Sequence, residues 1–378
     1  MAAYLDHNAS SPLKPAVKAA MGEALDLVGN PSSVHAHGRA VRRAVEEART
    51  RVAALAGTAP ERVLFTSSGT EANNLALRGF PDRRLLVSAV EHESVLAAAP
   101  EAERVPVRRD GVVDLTALEA LLAAGDGRPP LVSLMLVNNE TGVVQPVAEA
   151  AALVRARGGL LHTDAVQAAG RLPLDMDALG ADLVTLSAHK IGGPAGAGAL
   201  LVADGLDPAP VLRGGGQERR RRAGTENVVG LVGFGTAAAL ACEDAAATGR
   251  NALLTALRDA LEERALAAVP QARVIGAGAA RVGNTTCLAL PGVPAQTQMM
   301  ALDLAGVSVG TGAACSSGTV RASHVLSAMG EDAATAGSAV RVSLGWTTTA
   351  ADVERFLDAW TAVARRLTPG AGRTDGAA

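Results

Sequence analysis

The feature that most limits the folds open to this chain is an alternation. Through its first two thirds, short apolar runs recur at intervals: RVLFT (62–66), RLLVSA (84–89), LVSLMLV (131–137), GLLHTD (159–164), DLVTLSA (182–188) and GALLVA (198–203). Each is short and bounded by turn residues, the pattern of a buried strand. The stretches between them, 69–79, 93–99, 114–124, 146–157 and 165–169, have the spacing of helices or turns. Alternation of this kind predicts a mostly parallel sheet sandwiched by helices. Two Ala-rich helical stretches follow, about 225–247 and 250–268. Beyond them RVIGAG, VGNTTCLALPG, a helix near 294–305, a Gly-rich stretch at 306–318, the strand VRVSLG and a helix near 351–367 form a smaller α+β unit. The expectation is an α/β protein with a large domain over 15–248, a small C-terminal domain over 249–378, and an N-terminal segment, 1–14, joining them.

Charge removes several function classes. The net charge is −3 and aromatic residues make up 2% of the chain, so neither a basic field nor stacking platforms are available for nucleic acid. The start, MAAYLDHNAS, has no basic stretch followed by an apolar one, and no uncharged apolar run is long enough to span a bilayer. A cytoplasmic protein without membrane contact is expected. Three Cys without regular spacing make neither a disulfide framework nor a Cys-based zinc cage.

Of 35 basic side chains only three are Lys: Lys14, Lys18 and Lys190. Arg keeps its proton and is no amine nucleophile, whereas a desolvated Lys is one. Lys14 and Lys18 lie at a helix start and read as a solvated face. Lys190, in SAHKIGGP, follows a buried-type strand and precedes a Gly-rich turn. That is the carboxyl end of a sheet strand, where open α/β sheets bind ligands. The plainer reading is a surface lysine on a loop.

Other candidates carry two readings each. Asp164 ends a strand and Gln167 follows one turn on; the carboxylate can hold a protonated ring nitrogen or cap the next turn. SSGTEANN (67–74) opens a helix after a strand, which suits an anion or simple capping. GGGQERRRRAGTEN (214–227) can serve nucleic acid, remain a solvated loop, or face a phosphate or a second subunit through Thr225. Cys315, in VGTGAACSSG, sits among small residues where a thiol is accessible; Cys287 and Cys242 read as small hydrophobes in a core or on a helix face. His92 is either a loop histidine or a proton carrier, and His35 and His37 read as structural.

In this order the segments YLDHNASSP (4–12), GNPSSVHAHGR, FTSSGTEANN, VEHESVL, VNNETGVVQP, LHTDAVQAAG, LSAHKIGGP, GGGQERRRRAGTEN, ACSSG (314–318) and VRVSLGWTT (340–348) resemble one family. It is the NifS/IscS-like cysteine desulfurases, fold-type I pyridoxal 5′-phosphate (PLP) enzymes of the class V aminotransferase group. The resemblance implies removal of sulfur from L-cysteine, giving L-alanine and a persulfide on Cys315 that passes to a protein acceptor, an iron–sulfur scaffold or a tRNA thiolase. A selenocysteine lyase, or another class V PLP lyase, is the alternative. Lys190 would be the Schiff-base lysine, Asp164 would pair with the ring nitrogen and Gln167 with the phenolic oxygen. His92 would stack on the ring and handle protons. Gly69, Thr70, Ser187 and His189 would hold the phosphate. Thr225 would reach the PLP phosphate of the other subunit, implying a homodimer. Asn139 and Arg341 would hold the substrate carboxylate. Ser68 stands where Gly is common in the family.

Overall fold

A computed structural model of the protein describes residues 2–246, 248–311 and 322–367. The chain begins with a short strand β1 (Ala3–Tyr4), the helices α1 (Pro15–Ala24) and α2 (Ala36–Leu55), and strand β2 (Val63–Thr66). Helix α3 (Gly69–Arg78) follows, then β3 (Arg84–Ser88), the single turn α4 (Glu93–Leu96), β4 (Glu103–Val105), β5 (Pro130–Ser133), β6 (Leu160–Asp164), β7 (Leu183–Ser187) and β8 (Gly198–Val202). These strands form a seven-stranded sheet in the order β2-β8-β7-β6-β5-β3-β4. All neighbours are parallel except β8, which runs against both β2 and β7.

Side chains of a strand alternate between faces, and here alternate residues enter different cores. Val63, Phe65, Leu86, Val132, Leu161, Val184 and Leu201 pack on one face with α2 and the helix Val228–Ala246. Leu64, Val87, Leu131, Leu160, Leu183 and Leu200 pack on the other with α3. Both faces are covered, which explains why these strands read as continuous apolar runs rather than as alternating ones. The segment expected as a strand to 137 leaves regular structure after Ser133. Even so, Leu134 and Leu136 N–H still donate to the carbonyls of His162 and Asp164.

The helix Thr248–Ala268 leads to an antiparallel sheet of β9 (Arg273–Val274), β10 (Thr285–Ala289), β12 (Gly310–Thr311) and β13 (Ala339–Ser343), in the order β12-β13-β10-β9. The short β11 (Val307–Ser308) pairs instead with β1, in parallel. Phe356 and Trp360 of the last helix, Ala350–Leu367, fill the core under this sheet, and the Trp360 indole donates to Gln298 Oε1 at 2.9 Å.

The N-terminal segment crosses between the two sheets. Ser343 N–H donates to the Leu5 carbonyl, and Leu5 belongs to the small-sheet core. A few residues on, Ser11 N–H donates to the carbonyl of His189, and Lys14 N–H to that of Gly192. Lys14 corrects the expectation of a solvated face. Its ammonium lies 2.6 Å from Asp244 Oδ2, with a side chain 13% exposed. The cause is the packing of α1 along Val228–Ala246, which covers Lys14 and brings a carboxylate to it. Lys18 is exposed, as expected.

Candidate active site

The carboxyl ends of β6 and β7, the start of α3, the α4 turn and the N-terminal segment surround a cavity of about 690 Å³, a volume that suits a cofactor-sized ligand. Gly69, Thr70, His92, Asn139, Asp164, Gln167, Ser187, His189, Lys190 and Arg341 all line it. Of the expected site residues with described positions, Thr225 alone stays outside, exposed on its loop. Cys315 lies outside the described residues; Thr311 and Ala322, which flank that segment, line the cavity.

Lys190 closes a short 3-10 turn directly after β7. Its Nζ donates to the carbonyls of Asn8 at 2.6 Å and Ala9 at 2.7 Å. No carboxylate bonds it among the described residues. Burial, together with the positive charges of Arg341 and Arg171, lowers its pKa to about 8. About a tenth of the amine is then neutral at pH 7, far more than an ordinary lysine offers, as nucleophilic or basic use requires.

Asp164, at the end of β6, is buried. Its Oδ1 accepts from Val166 N–H at 3.0 Å and its Oδ2 from Asn73 Nδ2 at 2.8 Å. These bonds aim the carboxylate. The bond from Val166 N–H is the turn cap that the sequence also allowed, so one carboxylate both caps the turn and lines the cavity. Gln167 is fixed on both sides: its amide donates to the Asn8 carbonyl at 2.9 Å and its oxygen accepts from Arg171.

SSGTEANN forms a helix start. Ser68 caps α3 by accepting from Glu71 N–H at 3.1 Å. The first N–H groups of the helix, at Gly69 and Thr70, have no partner within it. Gly69 is a cradle: a Cβ there would stand 3.1 Å from Val166 Cγ2 and 3.5 Å from Ser187 Cβ. At the first residue of β8 a Cβ on Gly198 would lie 2.5 Å from the Ser68 carbonyl carbon, so only glycine lets that strand abut the helix start. The Thr70 and Ser187 side chains and the His189 ring border the same pocket wall. Burial and the Lys190 charge push His189 down to about 4, so its ring is neutral near pH 7.

His92 caps α4 and lines the cavity. Burial lowers its pKa, against the pull of Asp164. On the opposite wall Arg341, from β13, donates to Asp6 Oδ1 at 2.7 Å and to the Asn139 carbonyl at 3.2 Å. Its Nε is buried without a partner among the described residues. A cation with a spare donor is suited to a carboxylate ligand.

Sequence reasoning missed several parts of this site. The Asn8 and Ala9 carbonyls, Asp6, Asn73 and Ser94 all act here through contacts with residues distant in the chain. YLDHNASSP and SSGTEANN marked the neighbourhoods, but nothing in them shows which atoms meet. Cys287 is buried, with its thiol pKa pushed up by desolvation, as expected of a core residue, whereas Cys242 is only partly buried. His35 caps α2 by accepting from Gly38 N–H, in line with a structural role.

The aminotransferase class-V family matches the chain over residues 3–356. A cysteine desulfurase of Cereibacter sphaeroides is 44% identical over 370 residues, 94% of each chain. A solved NifS-like protein from Rickettsia africae superposes with a TM-score of 0.90 at 36% identity, covering 96% of this chain and 99% of its own. A solved complex of the protein SspA with cysteine gives 0.78 at 27% identity, over 90% and 98%.

Proposed function

The chain belongs to the aminotransferase class-V family, and from that premise we propose that it is a PLP-dependent cysteine desulfurase. It takes sulfur from L-cysteine, leaves L-alanine, and passes the sulfur through Cys315 to a protein acceptor, an iron–sulfur scaffold or a tRNA thiolase. The observation that carries this reading is Lys190: a partly buried amine with only carbonyl partners among the described residues, in the cavity that Asp164 also lines.

The donor set fits the cofactor. The N–H groups of Gly69 and Thr70, the hydroxyls of Thr70 and Ser187 and the His189 ring would hold its phosphate; Asp164 would hold its ring nitrogen, and Gln167 its phenolic oxygen. When bound, PLP supplies an electrophilic aldehyde carbon and a ring that withdraws electrons from the substrate Cα. Lys190 would hold that aldehyde carbon in the resting enzyme, then take and return the Cα proton. Arg341, with Asn139 beside it, would bind the substrate carboxylate and set its orientation. The Cys315 thiolate attacks the substrate sulfur: an S–S bond forms, the C–S bond breaks, and its electron pair stays with the carbon skeleton that leaves as alanine. His92 handles a proton in the cavity.

Thr225, exposed and outside its own subunit's cavity, supports a homodimer in which it reaches the partner's phosphate site. The division into segment 1–14, a large domain to 248 and a small domain beyond is part of the same reading. Among the described residues no single helix is long and apolar enough to cross a membrane, and the proposed location is the cytoplasm. The test is Cys315→Ala. PLP uptake should persist while sulfur release from cysteine stops; undiminished release would point to a selenocysteine lyase, which needs no protein thiol.

A further inference from the structure

Asp164 and His92 are connected by a chain of hydrogen bonds whose direction follows from chemistry. Asn73 Nδ2 lies 2.8 Å from Asp164 Oδ2 and 2.8 Å from Ser94 Oγ. Ser94 Oγ lies 2.7 Å from His92 Nδ1, and the Ser94 backbone N–H donates to that same ring nitrogen at 3.1 Å. Asn73, Ser94 and Asp164 are all buried, at 1%, 8% and 6% exposure, so water does not replace these partners.

An ionised carboxylate only accepts. The group of Asn73 that faces Asp164 is therefore its NH2, and the second N–H of that group is donated to Ser94 Oγ. Flipping the amide would set its carbonyl oxygen against two oxygens. The orientation is held even though Asn73 Oδ1 is left without a partner among the described residues. The Ser94 backbone N–H already makes His92 Nδ1 an acceptor, so Ser94 Oγ, which accepts from Asn73, gives its one proton to that nitrogen. A ring nitrogen that accepts two hydrogen bonds carries no proton, and the proton of the neutral ring sits on Nε2.

We infer that Asn73 and Ser94 are positioning residues that lock His92 as its Nε2–H tautomer, so that the ring offers a donor rather than a base to the cavity. The consequence for catalysis rests on the sulfur-transfer reading above; the tautomer does not. In that reaction His92 donates to the sulfur of the substrate or of Cys315 and steadies its negative charge, and proton removal from Cα falls to Lys190. The charged and titratable groups around His92 are Asp164 and Glu93, which favour its protonation, and Lys190 and His324, which oppose it; with burial leading, the net shift of its pKa is downward.

The test is nitrogen NMR of the full chain with PLP added and its histidines labelled with 15N, the His92 signals being assigned by their loss in His92→Asn. The expected wild-type spectrum has Nε2 protonated and Nδ1 bare around neutral pH. In Ser94→Ala the His92 titration moves to higher pH, because a bond made to the neutral ring no longer opposes protonation. Ser94→Thr keeps the hydroxyl and the wild-type titration. A protonated Nδ1 in the wild type, or a Ser94→Ala titration identical to wild type, overturns the inference. If Ser94→Ala does not fold, the wild-type spectrum decides. Cysteine turnover measured on the same samples separates this result from failure of the desulfurase reading, since the tautomer is read without turnover.

Discussion

Two loops carry the chain's most conspicuous cations, and they treat charge in opposite ways. In the loop after β7, Lys190 meets two carbonyls and no carboxylate among the described residues, while Arg341 and Arg171 push on its charge. In the Arg-rich loop, Arg221 pairs with Asp207 at 2.8 Å, Arg222 with Glu71 at 2.8 Å, and Arg219 donates to the Glu61 carbonyl. Even the acid within that run is used: Glu218 takes a two-pronged bond from Arg49, at 2.8 and 2.9 Å, and another from Phe65 N–H at 2.9 Å. To reach inward, the backbone adopts left-handed φ of 44° at Glu218, 57° at Arg219 and 68° at Arg220. A cation with a carboxylate has its charge fixed and serves structure. A cation given only carbonyls in a cavity keeps its proton loosely and is left for chemistry.

The contrast breaks or sharpens by substitution. The largest effect belongs to Lys190→Arg, which keeps the charge and removes the amine. Alanine production from L-cysteine should fall by at least about 10³-fold; retained turnover would mean that charge was the requirement after all. Next is Glu218→Ala. It leaves Arg49, whose side chain is 7% exposed, with only the exposed Glu46 carboxylate and the Val63 carbonyl as polar partners among the described residues, and should cost about 3 kcal/mol in urea unfolding. A cost near zero would show the Arg-rich loop to be as loosely held as its composition suggests.

Glu91→Gln tests burial without a charged partner. Glu91 is fully buried with one oxygen unpartnered among the described residues, and its pKa rises from 4.5 to about 8 by desolvation and by the Asp164 charge. The folded protein holds this proton more tightly than the unfolded chain does. Its contribution is complete below the ordinary carboxyl range and is lost as pH rises through about 8. Gln stays neutral and keeps the acceptor for Met135 N–H. The variant's Tm should match wild type below about pH 4.5 and exceed it by a growing margin up to about pH 8; equal values at both would remove desolvation as the cause. Arg221→Ala should change stability least, by about 0.5 kcal/mol or less, because Asp207 is 82% exposed and solvent screens the pair. A larger loss would place Arg221 with Arg49 rather than with the solvated cations.

Much of the site was legible because its residues are set by local rules. Asp164, Lys190 and Ser187 stand at or just after strand ends, and strand ends follow from apolar runs and turn residues. Gly69 and Thr70 begin a helix that Ser68 caps, which is also a local signal. Lys14 was misread for the complementary reason: its amphipathic setting marks a helix start, and nothing nearby announces Asp244. Likewise the run of arginines reads as one loop, whereas Arg219, Arg221 and Arg222 each find a different partner once it is folded.

The sequence by itself determined the alternation that yields a helix-covered, mostly parallel sheet, the order of motifs that places the chain in its family, and the place of its rare lysine at a strand end. Those are properties of periodicity and of side-chain chemistry, which act over a few residues. Only the tertiary structure decided that the N-terminal segment delivers its carbonyls to Lys190, that Arg341 leans on Asp6, and that Asp164 reaches His92 through Asn73 and Ser94. Hydrogen bonds and desolvation depend on which atoms lie within about 3 Å of one another. That proximity is set by packing between elements far apart in the chain, where no local pattern records it.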